Sequence, residues 1–201
     1  MSHSTVFRTT KENIIGPGSI QSLGERILAR GCRKPCIVTD PGLVQSGIVE
    51  QIEKLLLSSG LESIRFDQVE ADPKYEIVNK VTAFLEENNA DLVVGLGGGS
   101  SLDIAKISAA MVSNQGSVED YFGIDLLARK GLDLILVPTT AGTGSEVTPI
   151  VILSDEKNKL KKGIVSSHLF PDLAILDPEL TVGLPPHVTA ATGMDALIHA
   201  V

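Results

Sequence analysis

Leu92-Val93-Val94-Gly95-Leu96-Gly97-Gly98-Gly99-Ser100 runs from an apolar stretch into three glycines and a serine, and a helical pattern from Ser101 to Ser113 follows at once. A buried strand, a tight turn and a helix in that order form the first part of a βαβ unit, which points to a parallel sheet covered by helices. The glycines let backbone N–H groups approach a ligand closely. The helix N-terminus behind them adds positive potential, and together they make a pyrophosphate cradle. A turn needing positive φ explains one or two glycines, but hardly three in succession with a serine. Two features depart from the common dinucleotide fingerprint: Ser100 replaces the third glycine, and no acidic residue ends a strand about 20 residues downstream.

Outward from this stretch the same rhythm repeats. Gly18 to Arg30 has Ile20, Leu23, Ile27 and Leu28 at helical spacing, with Gly31 as a stop. Cys36 to Thr39 reads as a buried strand broken by Asp40-Pro41-Gly42. Val44 to Ser59 reads as one helix ended by Gly60, Leu61 to Phe66 as a strand, and Tyr75 to Asn88 as a helix. After residue 116 the pattern changes. Leu134 to Val137 is a strand leading into the polar loop Pro138 to Glu146; Thr148 to Leu153, Gly163 to Ser166 and Leu173 to Leu176 read as short strands, with the charged stretch Asp155 to Lys162 as a hairpin turn. Pro185-Pro186 marks a boundary, and Val188 to Val201 is a helix of small residues. The expected class is therefore α/β: a Rossmann-like parallel sheet with flanking helices and a β-hairpin over residues 1–184, then the first helix of an all-α domain over 185–201.

Composition narrows the function classes. With 201 residues, 43% hydrophobic and 21% charged, the chain can bury a sizeable core. A net charge of -8 argues against nucleic acid and anionic membrane surfaces, which select a basic face. No apolar run reaches the roughly 18 residues of a membrane span, and the N-terminus lacks a basic region followed by an apolar core, so a soluble, unprocessed protein is expected. Cys32 and Cys36 are spaced one residue wider than a redox pair and have no second pair for zinc, so they read as two reduced thiols, which favours the cytoplasm.

Three further places carry chemistry. Asp40 ends the strand Cys36 to Thr39, where a carboxylate can accept hydrogen bonds from adenosine ribose hydroxyls and repel a 2′-phosphate. Asp before Pro is also ordinary turn chemistry, and the residues alone weigh the two readings evenly. Pro138-Thr139-Thr140-Ala141-Gly142-Thr143-Gly144-Ser145-Glu146 offers neutral hydroxyl donors suited to phosphate and sugar oxygens, although on composition alone a solvent loop fits it better. Near the end of the sequence, Gly193-Met194-Asp195-Ala196-Leu197-Ile198-His199 puts a carboxylate and an imidazole four residues apart on one helix face, with room for one metal ion. Two ligands are fewer than the three or so a catalytic metal takes. His187 lies about 12 Å away along a continuous helix and off the shared face, while His3 and His168 have no ligand-like spacing, so all three read as surface or capping imidazoles.

Taken in order, Gly97-Gly98-Gly99-Ser100-Ser101-Leu102-Asp103-Ile104-Ala105-Lys106, Pro138 to Pro149, Asp177-Pro178-Glu179-Leu180 and Gly193 to Ala200 closely resemble the iron-containing, or group III, alcohol dehydrogenases. The resemblance covers essentially all 201 residues, although members of that family are roughly twice as long. It implies a cofactor domain followed by a helical metal domain, and an NAD-dependent enzyme interconverting a small alcohol and its aldehyde or ketone. By the same resemblance Asp40 holds the adenosine ribose and Gly97, Gly98, Gly99, Ser100 and Ser101 take the pyrophosphate, with Asp103 beside them. Thr139, Thr140, Thr143 and Ser145 line the nicotinamide half. Lys162 and the segment from Leu180 to Leu184 flank the adenosine end. Asp195 and His199 match the first two metal ligands, and the two later histidines of the family have no counterpart. The loop at Asp72-Pro73 often reads Asn-Pro in the family, so a cofactor contact there stays open.

The resemblance implies Fe2+, while a carboxylate with imidazoles would also take zinc, manganese or cobalt. It further implies a homodimer or higher homo-oligomer, with an early strand Thr5 to Thr9 pairing across subunits. Catalysis by residues 1–201 alone is not expected. Two alternatives remain open at this level: a glycerol dehydrogenase-like or dehydroquinate synthase-like enzyme on the same scaffold, and a non-catalytic nucleotide-binding module.

Overall fold

The computed structural model describes residues 8–156 and 158–201; His3, Lys157 and most of the strand expected over Thr5 to Thr9 lie outside them. In chain order the described elements are β1 (Asn13–Ile15), α1 (Leu23–Ala29), β2 (Pro35–Val38), α2 (Pro41–Gln45), α3 (Ile48–Ser58), β3 (Ile64–Phe66), α4 (Glu76–Glu87), β4 (Leu92–Gly97), α5 (Gly99–Met111), β5 (Gly123–Ile124), β6 (Asp133–Pro138), β7 (Ile150–Asp155), β8 (Leu160–Val165), β9 (Leu173–Leu176) and α6 (Pro186–Ala200).

Six strands form one parallel sheet in the order β1-β9-β6-β4-β2-β3, and β5, β8 and β7 form a second, small one. Cys36 pairs with Val93, Val93 with Leu134, and Leu136 with Ala174. Side chains alternate across each strand, so the apolar runs feed two cores at once. Cys36, Val38, Val93, Leu134 and Leu136 pack under α4 and α5 with Val78, Val81, Ile104 and Ile107. Ile37, Leu92, Val94, Leu96, Ile135 and Val137 pack on the other face with Leu23, Ile27, Val49, Ile52 and Leu56 of α1 and α3. A doubly covered parallel sheet is the expected class. No helix among the described residues is long and apolar enough to cross a membrane.

The helix expected over Val44 to Ser59 is two helices. Gly47, at φ 80, breaks it in the left-handed region, where a residue with a Cβ would be strained. The expected hairpin is present, but its strands reach into the charged stretch: Asp155 pairs with Leu160, leaving a shorter turn. The edge strands β1 and β5 carry no apolar run, which is why the sequence reading passed over them.

Candidate cofactor cleft

The strand order reverses between β2 and β4: the chain moves outward from β2 to β3 on one side and from β4 to β6 and β9 on the other. Ligands of open α/β sheets bind outside the carboxyl ends of the strands at such a point. Asp40 follows β2 there, and the glycine run follows β4. Between them opens a cleft of about 510 Å³ lined by Asp40, Leu43, Ser46, Gly98, Gly99, Ser100, Ser101, Thr139, Thr140, Leu180 and Val188, among others.

The three glycines have different reasons to be there. Gly97 ends its strand at φ 147, a conformation L side chains rarely adopt, and a Cβ on it would come within 2.8 Å of Ser101. A Cβ on Gly99 would press within 2.8 Å of Thr143. Gly98 differs: its φ of -79 and ψ of -178 suit any residue, and a Cβ would make only ordinary contact, 3.5 Å, with Thr140. The missing side chain at Gly98 leaves the space beside Thr140 open to the cleft. As the N-cap of α5, Gly98 also supplies no side-chain hydrogen bond, so the first N–H groups of a 13-residue helix, from Gly99 to Ser101, face the cleft without intrahelical partners.

Asp40 unites both roles weighed from sequence. Its Oδ1 accepts from the N–H of Leu43 at 3.1 Å and caps α2, while its Oδ2 accepts the Ser101 hydroxyl at 3.3 Å beside the glycine run. The turn residue is also a cleft residue.

A second cleft, of about 520 Å³, lies on the far side of Gly99 and Ser100 and is lined by Asp103, Thr143, Ser145, Asp72, Lys161, Asp195 and His199, among others. The loop after β6 thus reaches both clefts, with Thr139 and Thr140 on the first and Thr143 and Ser145 on the second. α6 lies against this loop: a Cβ on Gly142 would stand 2.6 Å from the Thr192 carbonyl oxygen and 3.3 Å from Asp195 Oδ2. His199 Nε2 and Asp195 Oδ1 are 3.9 Å apart, with side chains 62% and 42% exposed. One imidazole and one carboxylate facing the same cleft on successive helical turns fit part of a divalent-metal ligand set. Among the described residues no group of three or more His, Cys, Asp or Glu is placed to complete it. His187 is exposed and His168 lies by the short helical turn after β8, and neither lines this cleft.

One expected contact falls elsewhere, and another is already engaged by the protein. Lys162 lines neither cleft: its ammonium pairs with Asp155 at 2.7 Å and lies 5.0 Å from the centroid of the Phe122 ring. Strand alternation is the cause, because successive side chains of β8 point to opposite faces and Lys161 takes the cleft side, pairing with Asp72 at 2.6 Å. Asp103 borders the second cleft, but both its oxygens are engaged by protein. One accepts the Ser145 hydroxyl and the other accepts the N–H of Ile152 at 2.9 Å. Sequence reasoning passed over Leu43 and Val188 of the first cleft, since apolar helix residues carry no chemical signal, and over Ser46, a lone serine inside an expected helix. It also gave no role to Lys106, although the motif contains it. Cys32 and Cys36 are free and buried, and burial pushes the Cys36 thiol up to about 12.

An open parallel sheet with a glycine-floored cleft at its switch point is the architecture of nucleotide-binding α/β proteins. Residues 10–178 match the family model described as iron-containing alcohol dehydrogenase, and the chain belongs to that family. It is 42% identical over 195 residues to a sulfoacetaldehyde reductase of Bilophila wadsworthia, covering 97% of this chain and 50% of that one. It is 44% identical over 190 residues to long-chain-alcohol dehydrogenase 1 of Geobacillus thermodenitrificans, covering 93% and 48%. Among solved structures, a 1,3-propanediol oxidoreductase superposes with a TM-score of 0.94 at 37% identity, covering 98% of this chain and 52% of that one. A sulfoacetaldehyde reductase from Bifidobacterium kashiwanohense, in complex with NAD+, gives 0.87 at 32% identity, covering 96% and 51%. The chain spans about half the length of the curated relatives it matches.

Proposed function

We propose that this chain is the cofactor-binding half of an NAD-dependent, divalent-metal alcohol dehydrogenase that interconverts a small alcohol and its aldehyde or ketone. Gly98 carries the reading: neither its backbone angles nor the space around it requires glycine, and its missing side chain keeps the cleft floor open above the free N–H groups of α5. A ligand with a pyrophosphate needs both conditions.

Within this reading the N–H groups of Gly99, Ser100 and Ser101 hold the pyrophosphate, and Asp40 accepts the adenosine ribose hydroxyls. Leu43 and Leu180 give the adenine an apolar wall. The hydroxyls of Thr139, Thr140, Thr143 and Ser145 orient the nicotinamide half, and Asp195 and His199 hold a metal such as iron or zinc from one side of the second cleft. When bound, NAD supplies the hydride acceptor and the metal supplies Lewis acidity toward the substrate oxygen. The chain's own contribution is orientation: the loop from Thr139 to Ser145 lies between the two clefts and brings their occupants together.

Residues 185–201 begin a second, helical domain in this reading. Met194, Leu197 and Ile198 of α6 are exposed, and relatives are about twice as long. Residues 1–201 on their own then bind cofactor without turning over alcohol, because two ligands do not fix a catalytic metal. The test is titration with NADH, read by nicotinamide fluorescence, for the unmodified chain and for Gly98→Val. We expect saturable binding that weakens about tenfold or more in the variant, with the unfolding midpoint lowered only by the modest cost of valine as the N-cap of α5, since valine obstructs the cleft without straining the backbone. Equal affinity of both proteins overturns the reading of the first cleft, and turnover of alcohol by the metal-loaded chain overturns the expected inactivity.

A further inference from the structure

The loop after β6 and the first residue of β7 leave three carbonyl oxygens pointing inward, those of Ser145, Thr148 and Ile150, and one buried ammonium serves them all. Lys106 Nζ donates to the Ile150 oxygen at 2.6 Å and the Ser145 oxygen at 2.8 Å, with the Thr148 oxygen at 3.4 Å. Its side chain is wholly buried. Asp103, one helical turn earlier on the same face of α5, lies 3.0 Å from that ammonium. The same carboxylate binds the Ser145 hydroxyl and the N–H of Ile152. Burial lowers the pKa of Lys106, and Asp103 opposes the shift.

The pair sits on α5, whose first turn is the floor of the first cleft. At 1.5 Å per residue, Asp103 is about 6 Å and Lys106 about 10 Å along the axis from Gly99. One rigid helix therefore presents the free N–H groups at its start and, with its next two turns, clamps the end of the loop from Ser145 and the start of β7 as far as Ile152. Taking the cofactor site as proposed above, we infer that Asp103 and Lys106 are positioning residues: they fix the nicotinamide-side loop relative to the pyrophosphate cradle and touch no part of the cofactor themselves. The half of the ligand held by the start of α5 does not depend on them, whereas the half held by the loop does.

The split is measurable by comparing NADH with ADP-ribose, which has the adenosine, pyrophosphate and second ribose but no nicotinamide. In Lys106→Met and Asp103→Ala we expect NADH to bind about tenfold more weakly, with loss of the nicotinamide fluorescence change, while ADP-ribose affinity stays within about twofold. Asp103→Asn can still accept from Ile152 and donate to the Ser145 hydroxyl, but its amide nitrogen then meets the Lys106 ammonium, so it should recover only part of the NADH affinity lost in the alanine variant. Asp103 is partly exposed, so its variants carry the test if the buried Lys106→Met does not fold. Equal weakening of both ligands, no weakening of either, or failure of both Asp103 variants to fold overturns the inference. If the unmodified chain binds neither NADH nor ADP-ribose, the cofactor reading itself fails and this inference falls with it.

Discussion

Single residues decide which ligand the first cleft takes and how the fold answers to acid. Asp40 caps α2 with one oxygen and faces the glycine run with the other, so its replacement touches both stability and selectivity. Asp40→Gly should weaken NADH by about 1 to 3 kcal/mol, the scale of a lost charge-assisted hydrogen bond, and improve NADPH by removing the charge that repels its 2′-phosphate. Titration of both cofactors against both proteins checks this, and unchanged affinities would leave Asp40 a helix cap only. Asp155 supplies part of the acid dependence, alongside Asp172, whose carboxyl, against the opposing effect of burial, is also held below the ordinary range by Lys11 and Lys130. The Lys162 ammonium, together with Asn158, holds the Asp155 carboxyl at about 2 against an ordinary 3.8, and its side chain is 4% exposed. A folded-state pKa below the unfolded one adds stability that is fully present above the unfolded value and is lost as pH falls through the folded one. Denaturation midpoints of the unmodified chain should therefore fall between about pH 4 and pH 2 by more than those of Asp155→Asn. The sequence marks Asp40 as a charged residue at a strand end and Asp155 as the start of a charged hairpin turn. It does not say that Asp155 will take Lys162 out of the cleft, because that depends on the register of β7 against β8.

At the scale of elements, boundaries follow local rules wherever those rules are strong. β4, α4 and α5 lie within two residues of their expected limits, since apolar runs and helical spacing are short-range patterns. α5 starts at Gly99, two residues before the helical pattern does, and that early start turns the glycine run into free N–H groups. Gly47 was hidden inside an apolar helical pattern, and only its left-handed backbone separates α2 from α3. Gly47→Ala should cost about 1 kcal/mol in urea denaturation with an unchanged m-value, as a Cβ is forced into that conformation while the packing of α3 is kept. A neutral result would mean that the two helices can join without strain.

For the whole molecule, stability is distributed unevenly. α5 is buried along most of its length between the sheet and α4, whereas α6 has no buried residue and touches the rest through the neighbourhood of Gly142. Amide hydrogen exchange should be about a hundredfold or more faster along α6 than in the centre of α5, because α6 can open without breaking the core. Equal protection of the two helices would show that α6 is held by contacts beyond those described. The sequence by itself determined the doubly covered parallel sheet, the turn after β4 and the helix bearing Asp195 and His199, because each rests on periodicity or on residue types within a few positions. Only the tertiary structure decided that Lys161 rather than Lys162 faces the cleft, that Asp103 is spent on Ser145 and Ile152, and that Asp40 meets Ser101. Those contacts join residues 42, 49 and 61 positions apart, or turn on which face of a strand a side chain takes, and such distances close only when the whole chain has packed.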